Sequence, residues 1–459
     1  MPSLYTAFTS GLLFPLQERL KGHSTVTVRR RLEETQWWPA DKLQALQVQR
    51  LRALLVDAGR HVPYYRDLFR ERSFDPAQGS GVADLQRLPF LTKPLIRAHT
   101  DQLKHEHARG LARFNTGGSS GEPLIFFIGN ERVSHDVAAK WRATRWWGVD
   151  IGDPEIVVWG SPIELGSQDR VRAWRDKLLR TELLPAFEMS DARLDSFIDA
   201  IRRRKPKMLF GYPSALSHIA RHAEKRGQRM NDLGIRVAFV TSERLYDEQR
   251  AAIGRVFGCQ VANGYGGRDA GFIAHECPQG GMHLTAEDMV VEIVSRDGRS
   301  LSPGEAGEIV VTHLATKDFP FIRYRTGDVA VLAAERCACG RGLPMLKEIQ
   351  GRSTDFVVAA DGTVMHGLAL IYVLRDLPEV QQFKIVQESL LQTRILLVTQ
   401  SAFSAAWGAD IVRKVKARLG DSVDVIVERV IDIPPEPSGK YRYVVSRVED
   451  SQSEAATHA

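Results

Sequence analysis

Through the middle of the chain, short β-branched runs alternate with amphipathic helical stretches, and this alternation constrains the fold more than any other feature. The stretch Glu243–Phe257 is one example, because its apolar residues recur at helical spacing and Gly258 follows as a helix-ending residue. A sheet covered by helices buries the apolar faces of both kinds of segment. The pattern therefore predicts an α/β fold, with strands at 156–159, 237–240, 259–262, 290–294 and 308–312.

The chain is too long for a single hydrophobic core. Its 459 residues exceed the roughly 250 to 300 residues at which cores stop growing, so at least two domains are expected. The sequence changes character near residue 352, where short strand-like runs alternate with two helical segments. We predict a large multi-layer N-terminal domain at 1–351, a smaller α+β C-terminal domain at 352–449 and a polar, disordered tail at 450–459.

Composition narrows the compartment and the partners. Four cysteines are too few and too unevenly placed to cross-link a secreted fold of this size, which favours a reducing, cytoplasmic compartment. No run of about 18 apolar residues occurs, so no membrane span is expected. A net charge of +6 is dilute over this length, which argues against nucleic-acid binding but is compatible with an anionic small ligand.

One glycine-rich segment has the chemistry of a phosphate-binding loop. The run NTGGSSGEP begins at Asn115 and precedes the apolar run LIFFI. Glycines permit turns that point successive backbone N–H groups at one phosphate, and the hydroxyls of serine and threonine add further donors. A plain Gly/Ser hairpin loop is the alternative interpretation. The candidate phosphate ligands are Thr116, Gly117, Gly118, Ser119, Ser120 and Gly121.

Four further motif-like segments follow this loop in a fixed order. They are NGYGGRD from Asn263, FIRYRTGD from Phe321, IQGRSTD from Ile349 and PEPSGK from Pro435. Together with the loop they resemble the motifs of the adenylate-forming superfamily, which includes acyl-CoA synthetases, luciferases and the adenylation domains of peptide synthetases. The segments HVPYYRDLF, LPFLTKPLIR and GYPS more specifically resemble phenylacetate:CoA ligase and its capsular-polysaccharide-biosynthesis relatives. The resemblance covers nearly the whole chain.

The resemblance implies which residues bind ATP. A charged carboxylate makes strong hydrogen bonds, so Asp328 would hold both ribose hydroxyls, with Arg352 beside it. Asp269 stands where the family usually has glutamate, and its carboxylate would hold Mg²⁺ against the phosphates. The residues implied along the adenine and acyl pocket are Asn263, Gly264, Tyr265 and Gly266.

The resemblance also implies a course for the reaction. Lys440 would stabilise the negative charge that develops as a substrate carboxylate attacks the α-phosphate of ATP, and Thr116 would assist from the phosphate loop. The small, mobile domain would then turn about a hinge at Thr354 or Asp355 and bring another face to the acyl-adenylate. The family usually has aspartate or lysine at the position of Thr354.

The acid is expected to bind where the segments around GYPS, TSER and NGYGG meet. The tyrosines in these segments favour an aryl or arylacetyl acid. The candidate lining residues are Tyr212, Pro213, Ser242, Glu243, Tyr265, Gly266 and Gly267.

Four residues form a candidate zinc site. Cys277 and His283 lie close together in sequence, and Cys337 and Cys339 follow about fifty residues later. Three thiolates and one imidazole complete a closed tetrahedral structural zinc site, and the resemblance implies one because some members of the subfamily carry such a zinc. Reduced core cysteines are the alternative, since unligated cysteine behaves as a small apolar residue.

The sequence thus predicts an ATP-dependent, AMP-forming ligase that converts a carboxylic acid to its acyl-adenylate and passes the acyl group to a thiol, with coenzyme A as the first choice. A carrier protein, an amine or a hydroxyl is the alternative acceptor. A non-catalytic nucleotide-binding relative is a further alternative, although such a protein would be expected to lose Lys440 or Asp328, and both are present. A monomer or homodimer is expected.

Overall fold

An eleven-stranded mixed sheet and a four-stranded sheet organise the chain. Both belong to the computed structural model, which describes residues 3–78, 81–115, 124–159, 170–186, 189–243, 245–295, 297–350, 356–375, 377, 379–399, 405–433 and 444–448. The α/β fold with a smaller α+β part is confirmed. The domain boundaries stay a prediction, because the hinge residues Thr354 and Asp355 and the tail at 450–459 lie outside the described residues.

The helices of the first part precede and flank the large sheet. They are α1 (Leu4–Phe8), α2 (Phe14–Leu20), α3 (Thr25–Thr35), α4 (Ala40–His61), α5 (Pro63–Glu71), α6 (Lys93–Ala98), α7 (Asn130–Trp146), α8 (Arg170–Leu179), α9 (Asp191–Arg204), α10 (Pro213–Lys225) and α11 (Asp247–Phe257). A π-helix at Thr9–Leu13 joins α1 to α2, and a 3₁₀-helix lies at Val82–Arg87.

The predicted helix at Glu243–Phe257 is correct at its C-terminus and wrong at its N-terminus. Its last residue is followed by Gly258 in the left-handed conformation, with φ of 64°. The helix begins only at Asp247, because Tyr246 is extended and forms the capping box with Gln249.

The strands of the first part form the large sheet and one small hairpin. The hairpin strands are β1 (Ala112–Asn115) and β2 (Ile125–Ile128). The sheet strands are β3 (Glu155–Trp159), β4 (Thr181–Pro185), β5 (Met208–Gly211), β6 (Val237–Thr241), β7 (Gln260–Gly267), β8 (Gly271–Glu276), β9 (Met282–Leu284), β10 (Met289–Val294), β11 (Ala306–His313), β12 (Tyr324–Leu332) and β13 (Met345–Gln350). All five predicted strands are present. The sequence indicated that NGYGG comes after the strand at 259–262. In the structure it instead forms the second half of β7.

The large sheet is parallel at one end and antiparallel at the other. Its strand order is β10-β11-β12-β13-β9-β8-β7-β6-β5-β3-β4. Strands β3 to β7 pair in parallel, with helices in the connections, whereas β7 to β13 pair antiparallel. Strand β7 therefore belongs to both halves, and the carboxyl ends of the parallel strands all lie at one edge of the sheet.

The second part is a small α+β unit with its own core. Its elements are β14 (Phe356–Val358), β15 (Val364–His366), α12 (Leu368–Arg375), β16 (Val380–Ser389), β17 (Gln392–Thr399), α13 (Ala405–Leu419), β18 (Asp424–Arg429) and β19 (Val444–Ser446). Leu370 from α12, Phe383 and Leu397 from the sheet and Ile411 from α13 are buried together in that core.

A buried ion pair ties the N-terminal helices to the large sheet. Arg142 on α7 donates to a carboxylate oxygen of Glu287 over 2.6 Å, and Thr35 at the end of α3 donates to the same oxygen over 2.9 Å. The side chains of Arg142 and Glu287 are 1% and 2% exposed. Removal of one partner from such a pair leaves the other charge buried and uncompensated.

We expect the substitution Arg142→Met to lower the free energy of unfolding by about 3 to 5 kcal/mol, because Glu287 would remain as an unpaired buried charge. Urea unfolding at neutral pH measures this loss. The double variant Arg142→Met/Glu287→Leu should recover much of it, and Arg413→Met, at a side chain that is 72% exposed, should change stability by less than about 0.5 kcal/mol. A double variant as unstable as the single variant would contradict this account.

Candidate active site and metal centre

Aromatic side chains meet where two neighbouring parallel strands end. Trp159 is the last residue of β3 and Tyr212 directly follows β5. Their rings stack with centroids 4.3 Å apart and an interplanar angle of 19°. Trp159 also stacks on Phe210, with centroids 5.9 Å apart, so the rings form an aromatic layer at this carboxyl edge, where ligands of open α/β sheets bind.

The backbone after β6 is held in an unusual conformation at the same edge. Ser242 directly follows the strand and has a φ of 73°, in the left-handed region that residues other than glycine seldom adopt. Such conformations cluster at functional sites, where the surrounding structure maintains them. The next residue, Glu243, accepts a hydrogen bond from the hydroxyl of Ser214 in the first turn of α10.

Strand β7 is irregular where its motif residues lie. The register with β8 shifts between Tyr265 and Gly266, which is the signature of a β-bulge. A Cβ atom on Gly266 would lie 2.2 Å from the backbone carbonyl oxygen of Gly271, so no larger residue fits there. Glycine at this position therefore allows the bulge and the close approach of β8.

Two tyrosines and two aspartates join β7 to β12 crosswise. Each segment carries a tyrosine followed four positions later by an aspartate, Tyr265 with Asp269 and Tyr324 with Asp328. The hydroxyl of Tyr265 donates to Asp328 over 2.9 Å, and the hydroxyl of Tyr324 donates to Asp269 over 2.6 Å. These strands are four places apart in the sheet, so the sheet curls until they touch. Two aspartates predicted to hold ATP and Mg²⁺ are thereby fixed by one reciprocal pair of bonds.

A buried chain of charged groups supports Asp269 from behind. Arg132 on α7 is 1% exposed, and it donates to the backbone carbonyl oxygen of Asp269 over 3.2 Å. The same guanidinium donates to Asp136 over 2.8 Å. The Nε2 atom of His313 lies 3.7 Å from the other oxygen of that carboxylate. Arg132 and His313 hold the pKa of Asp136 below its usual range against the effect of burial, which alone would raise it.

The environment of Tyr265 keeps its phenol protonated. Burial and the adjacent Asp328 carboxylate raise the pKa of Tyr265 well above 10, the ordinary value for tyrosine. The phenol therefore acts as a hydrogen-bond donor throughout the physiological range. It can hold the carboxylate of Asp328 in one orientation without adding charge.

The predicted site residues divide into three groups. The structure brings together Tyr265 and Asp328, and it places Asp269 within the same reciprocal contact. The predicted pocket residues Tyr212, Ser242 and Glu243, together with Asn263, Gly264, Gly266 and Gly267 on β7, lie at the carboxyl edge; Pro213 is buried as the first residue of α10. The third group lies outside the described residues: Thr116, Gly117, Gly118, Ser119, Ser120, Gly121, Arg352 and Lys440.

The sequence reasoning missed three residues of this site. Trp159 could have been found as the last residue of a predicted strand, because strand ends carry ligand sites in such sheets. Tyr324 lies inside the quoted segment FIRYRTGD, yet nothing in the sequence points to its contact with Asp269. Arg132 gave no signal, since its helix reads as an ordinary amphipathic segment.

The four candidate zinc ligands converge. Their ligand atoms all lie within 4.8 Å of one another, with Cys277 Sγ 3.6 Å from Cys337 Sγ and Cys339 Sγ 3.2 Å from His283 Nε2. Tetrahedral zinc with Zn–S bonds of about 2.3 Å requires ligand atoms about 3.5 to 4 Å apart. The donor set therefore fits zinc in kind and number, and its atoms lie within about 1 Å of the spacing that the ion requires.

The surroundings of the cluster orient its histidine for metal binding but favour the protonated thiol at Cys277. His283 Nδ1 lies 3.3 Å from the carbonyl oxygen of Leu343 and donates to it, which leaves Nε2 facing the thiols. Burial lowers the pKa of His283 to about 4 and raises the pKa of the Cys277 thiol to about 12, so a bound cation is needed to favour the thiolate. A Cβ on Gly281 would lie 2.6 Å from Cys337 Sγ, so only glycine fits beside the cluster.

Comparisons with known proteins show what the chain is similar to. Residues 183–315 match the family "AMP-binding enzyme", and residues 357–447 match the "CapK C-terminal domain". The first match contains Tyr212, Ser242 and the NGYGGRD segment, and the second covers most of the small α+β unit. Two parts of the chain are therefore similar to AMP-binding enzymes and to the C-terminal domain of CapK, and the chain has phenylacetate-CoA ligase and CapK among its relatives.

Particular relatives span most of the chain. It is 24% identical over 417 residues to "Protein CapK" of Staphylococcus aureus, which covers 88% of this chain and 89% of that protein. It is 26% identical over 363 residues to "Phenylacetate-coenzyme A ligase" of Thermus thermophilus, with 76% and 78% covered. A crystal structure of 2-hydroxyisobutyryl-CoA ligase with 2-HIB-AMP and CoA matches with a TM-score of 0.62 at 20% identity, covering 93% of this chain and 94% of that one, and so has the same fold.

The lengths and polarity of the helices bear on the prediction that no segment spans a membrane. Among the described residues, every helix is too short or too polar to cross a bilayer.

The protonated state of Tyr265 predicts a specific alkaline response. A raised folded-state pKa contributes stability that is complete below the unfolded pKa of about 10 and is lost as the pH rises toward the folded pKa. We therefore expect the parent chain to lose stability between about pH 10 and 11 more steeply than Tyr265→Phe, by up to about 1.4 kcal/mol per pH unit. Urea unfolding across this range measures both slopes. Parallel slopes would mean that Tyr265 ionises normally in the folded chain.

Proposed function

We propose that this protein is an ATP-dependent, AMP-forming acid–thiol ligase. The observation that carries the proposal is the reciprocal contact between Tyr265 and Asp328 and between Tyr324 and Asp269. It joins the two segments that the adenylate-forming superfamily uses for nucleotide and Mg²⁺, at the sheet edge where ligands of α/β proteins bind. The relatives named phenylacetate-coenzyme A ligase and 2-hydroxyisobutyryl-CoA ligase support the same chemistry.

In the first step, a carboxylate oxygen of the acid attacks the α-phosphorus of ATP, and pyrophosphate leaves. Asp328 accepts hydrogen bonds from the ribose hydroxyls, so that the α-phosphate faces the acid pocket. Asp269 would supply one hard oxygen ligand to Mg²⁺, and the ion would offset the negative charge of the phosphates. Lys440 and the loop from Thr116 to Gly121 stabilise the charge that develops on the phosphate.

The acid lies against the stacked rings of Trp159 and Tyr212. An aromatic layer at this edge favours an aryl or arylacetyl acid over a short polar one, because aromatic rings also pack edge to face. Glu243 and Ser242 line the same edge. No general base is required, because a carboxylate is already ionised at neutral pH.

In the second step, the thiolate of coenzyme A attacks the acyl carbon, a thioester bond forms, and AMP leaves. The small domain, 352–449, turns about Thr354 or Asp355 between the two steps, which removes Lys440 from the site. Transfer to a carrier-protein thiol, an amine or a hydroxyl is the alternative for this step. The similarity to CapK, which is not named as a coenzyme A ligase, supports this alternative.

We propose further that Cys277, His283, Cys337 and Cys339 hold a structural zinc ion. It would join the strand pair β8–β9 to the segment before β13, since the four ligands come from these parts of the chain. The site is closed by four protein ligands, so the ion stabilises this corner of the sheet and takes no part in the reaction.

The activity is tested by pyrophosphate release from MgATP with a panel of aryl, arylacetyl and fatty acids, with and without coenzyme A. We expect release that depends on the acid and falls about 100-fold or more in Lys440→Ala, because the lysine acts on the developing charge. Lys414→Ala changes a lysine on α13 whose side chain is 40% exposed, and it should leave the rate unchanged. Acid-dependent release of ADP and phosphate instead of pyrophosphate would overturn the proposal.

The zinc proposal predicts about one zinc ion per purified chain. Cys339→Ser should lower both the zinc content and the melting temperature, because one of four ligands is lost. Cys259→Ser is the matched control: burial raises the pKa of that thiol to about 12, and it lies outside the cluster, so the zinc content should not change. Metal analysis and thermal melts measure both quantities. Full zinc content in Cys339→Ser would exclude the assigned ligand set.

A further inference from the structure

The first helices of the chain turn several polar residues toward the protein and large apolar residues toward solvent. Their inward face carries Thr6 and Thr9, each 0% exposed, and Glu18, which is 3% exposed. Thr6 donates to Asp153 over 2.7 Å, and Thr25 donates to Glu18 over 2.5 Å. These polar groups, together with Phe14, whose ring meets that of Trp141 at 5.1 Å, attach the helices to the protein, while most of their other large apolar residues point outward.

The outward face is a row of large apolar side chains, called here the leucine stripe. The exposed fractions of its residues are Leu4 92%, Phe8 52%, Leu12 59%, Leu16 53% and Leu20 81%. The members recur every four residues, slightly more than one α-helical turn of about 3.6 residues. The π-helix at Thr9–Leu13 has a wider turn, which compensates part of this drift and helps keep the stripe on one side.

Helix α8 extends this apolar surface. Trp174 on α8 is 67% exposed, and Leu178 is 40% exposed. The hydroxyl of Tyr5 donates to the carbonyl oxygen of Leu178 over 2.8 Å, and the guanidinium of Arg180 lies over the Tyr5 ring at 5.2 Å. The leucine stripe and α8 are therefore adjacent, and they combine leucine, phenylalanine and tryptophan in one exposed patch.

The charges around this patch are mostly positive. Arg19 and Lys21 lie at the end of α2, and the one carboxylate of that stretch, Glu18, is buried and pairs with Lys21 over 3.3 Å. Among the side chains that the structure describes on and just after α8, three are basic, Arg175, Lys177 and Arg180, and one is acidic. That acid, Asp176, is bound by Arg175 over 2.6 Å. An apolar patch with a basic border requires an occupant that is apolar at its centre and anionic at its edge.

We propose that the leucine stripe and α8 bind the surface of an anionic lipid bilayer. Amphipathic helices with leucine, phenylalanine and tryptophan on one face and lysine and arginine on the other lie in the plane of the membrane interface. Anionic lipid head groups then pair with the basic border. A second copy of the chain fits less well, because a two-fold contact would bring the two basic borders together. The bound protein would lie on the membrane surface without crossing the bilayer. The candidate active site at the carboxyl edge of the large sheet would keep its structure.

The test is cosedimentation of the full chain with vesicles of phosphatidylcholine containing about 30% phosphatidylglycerol, and with vesicles of phosphatidylcholine alone. We expect binding to the anionic vesicles that weakens at least tenfold when the salt concentration rises from about 0.05 to about 0.5 M. The double variant Leu12→Glu/Leu16→Glu should bind at least tenfold more weakly. Both positions are solvent-exposed, so its melting temperature should match that of the parent.

Two controls separate the possible occupants. Ile431→Glu changes a residue that is 98% exposed in the small unit, and it should bind vesicles as the parent does. Light scattering after size exclusion measures the oligomeric state of each variant. Equal vesicle binding by parent and double variant, or no binding to either vesicle, would overturn the proposal. A dimer that the double variant converts to monomer, without vesicle binding, would assign the patch to a second copy.

Discussion

The structure depends on one strand that pairs in both senses. Strand β7 runs parallel to β6 and antiparallel to β8, so it joins a doubly wound α/β half to a strongly curled antiparallel half. The curl brings β12 back against β7, and two tyrosine-to-aspartate hydrogen bonds hold it there. Tyrosine suits this task because its long side chain reaches across the gap while its hydroxyl remains a neutral donor. The nucleotide site proposed here is the space that this closure defines.

Buried charge gives the closed arrangement its rigidity. Helix α7 carries Arg132 and Arg142, both 1% exposed, and each one bonds to groups on the sheet side of the helix. Guanidinium groups suit buried contacts because they have several donors in a fixed plane. A hydrophobic contact would tolerate small rotations of α7, whereas these directional bonds do not. The position of Asp269, whose backbone carbonyl oxygen accepts from Arg132, follows from the same constraint.

Much of the strand arrangement and part of the candidate site were predictable from sequence, because they depend on short local patterns. The strand runs, the order of the motifs and the convergence of Cys277, His283, Cys337 and Cys339 needed no coordinates. The crosswise bonds did not follow, since they depend on how far the sheet curls, and no local pattern encodes that. The leucine stripe could not be predicted for a similar reason. Apolar residues at helical spacing usually face a core, and only the burial of Thr6 and Thr9 reveals the opposite orientation.

The central claim is that the site activates a carboxylic acid by attack at the α-phosphorus of ATP. Isotope transfer tests this most directly, using the acid that gives the fastest pyrophosphate release, labelled with ¹⁸O in its carboxylate. After transfer of the acyl group, mass spectrometry of the nucleotide product should find one ¹⁸O atom in AMP and none in pyrophosphate. Label in inorganic phosphate, with ADP as the nucleotide, would mean attack at the γ-phosphorus and would contradict the account.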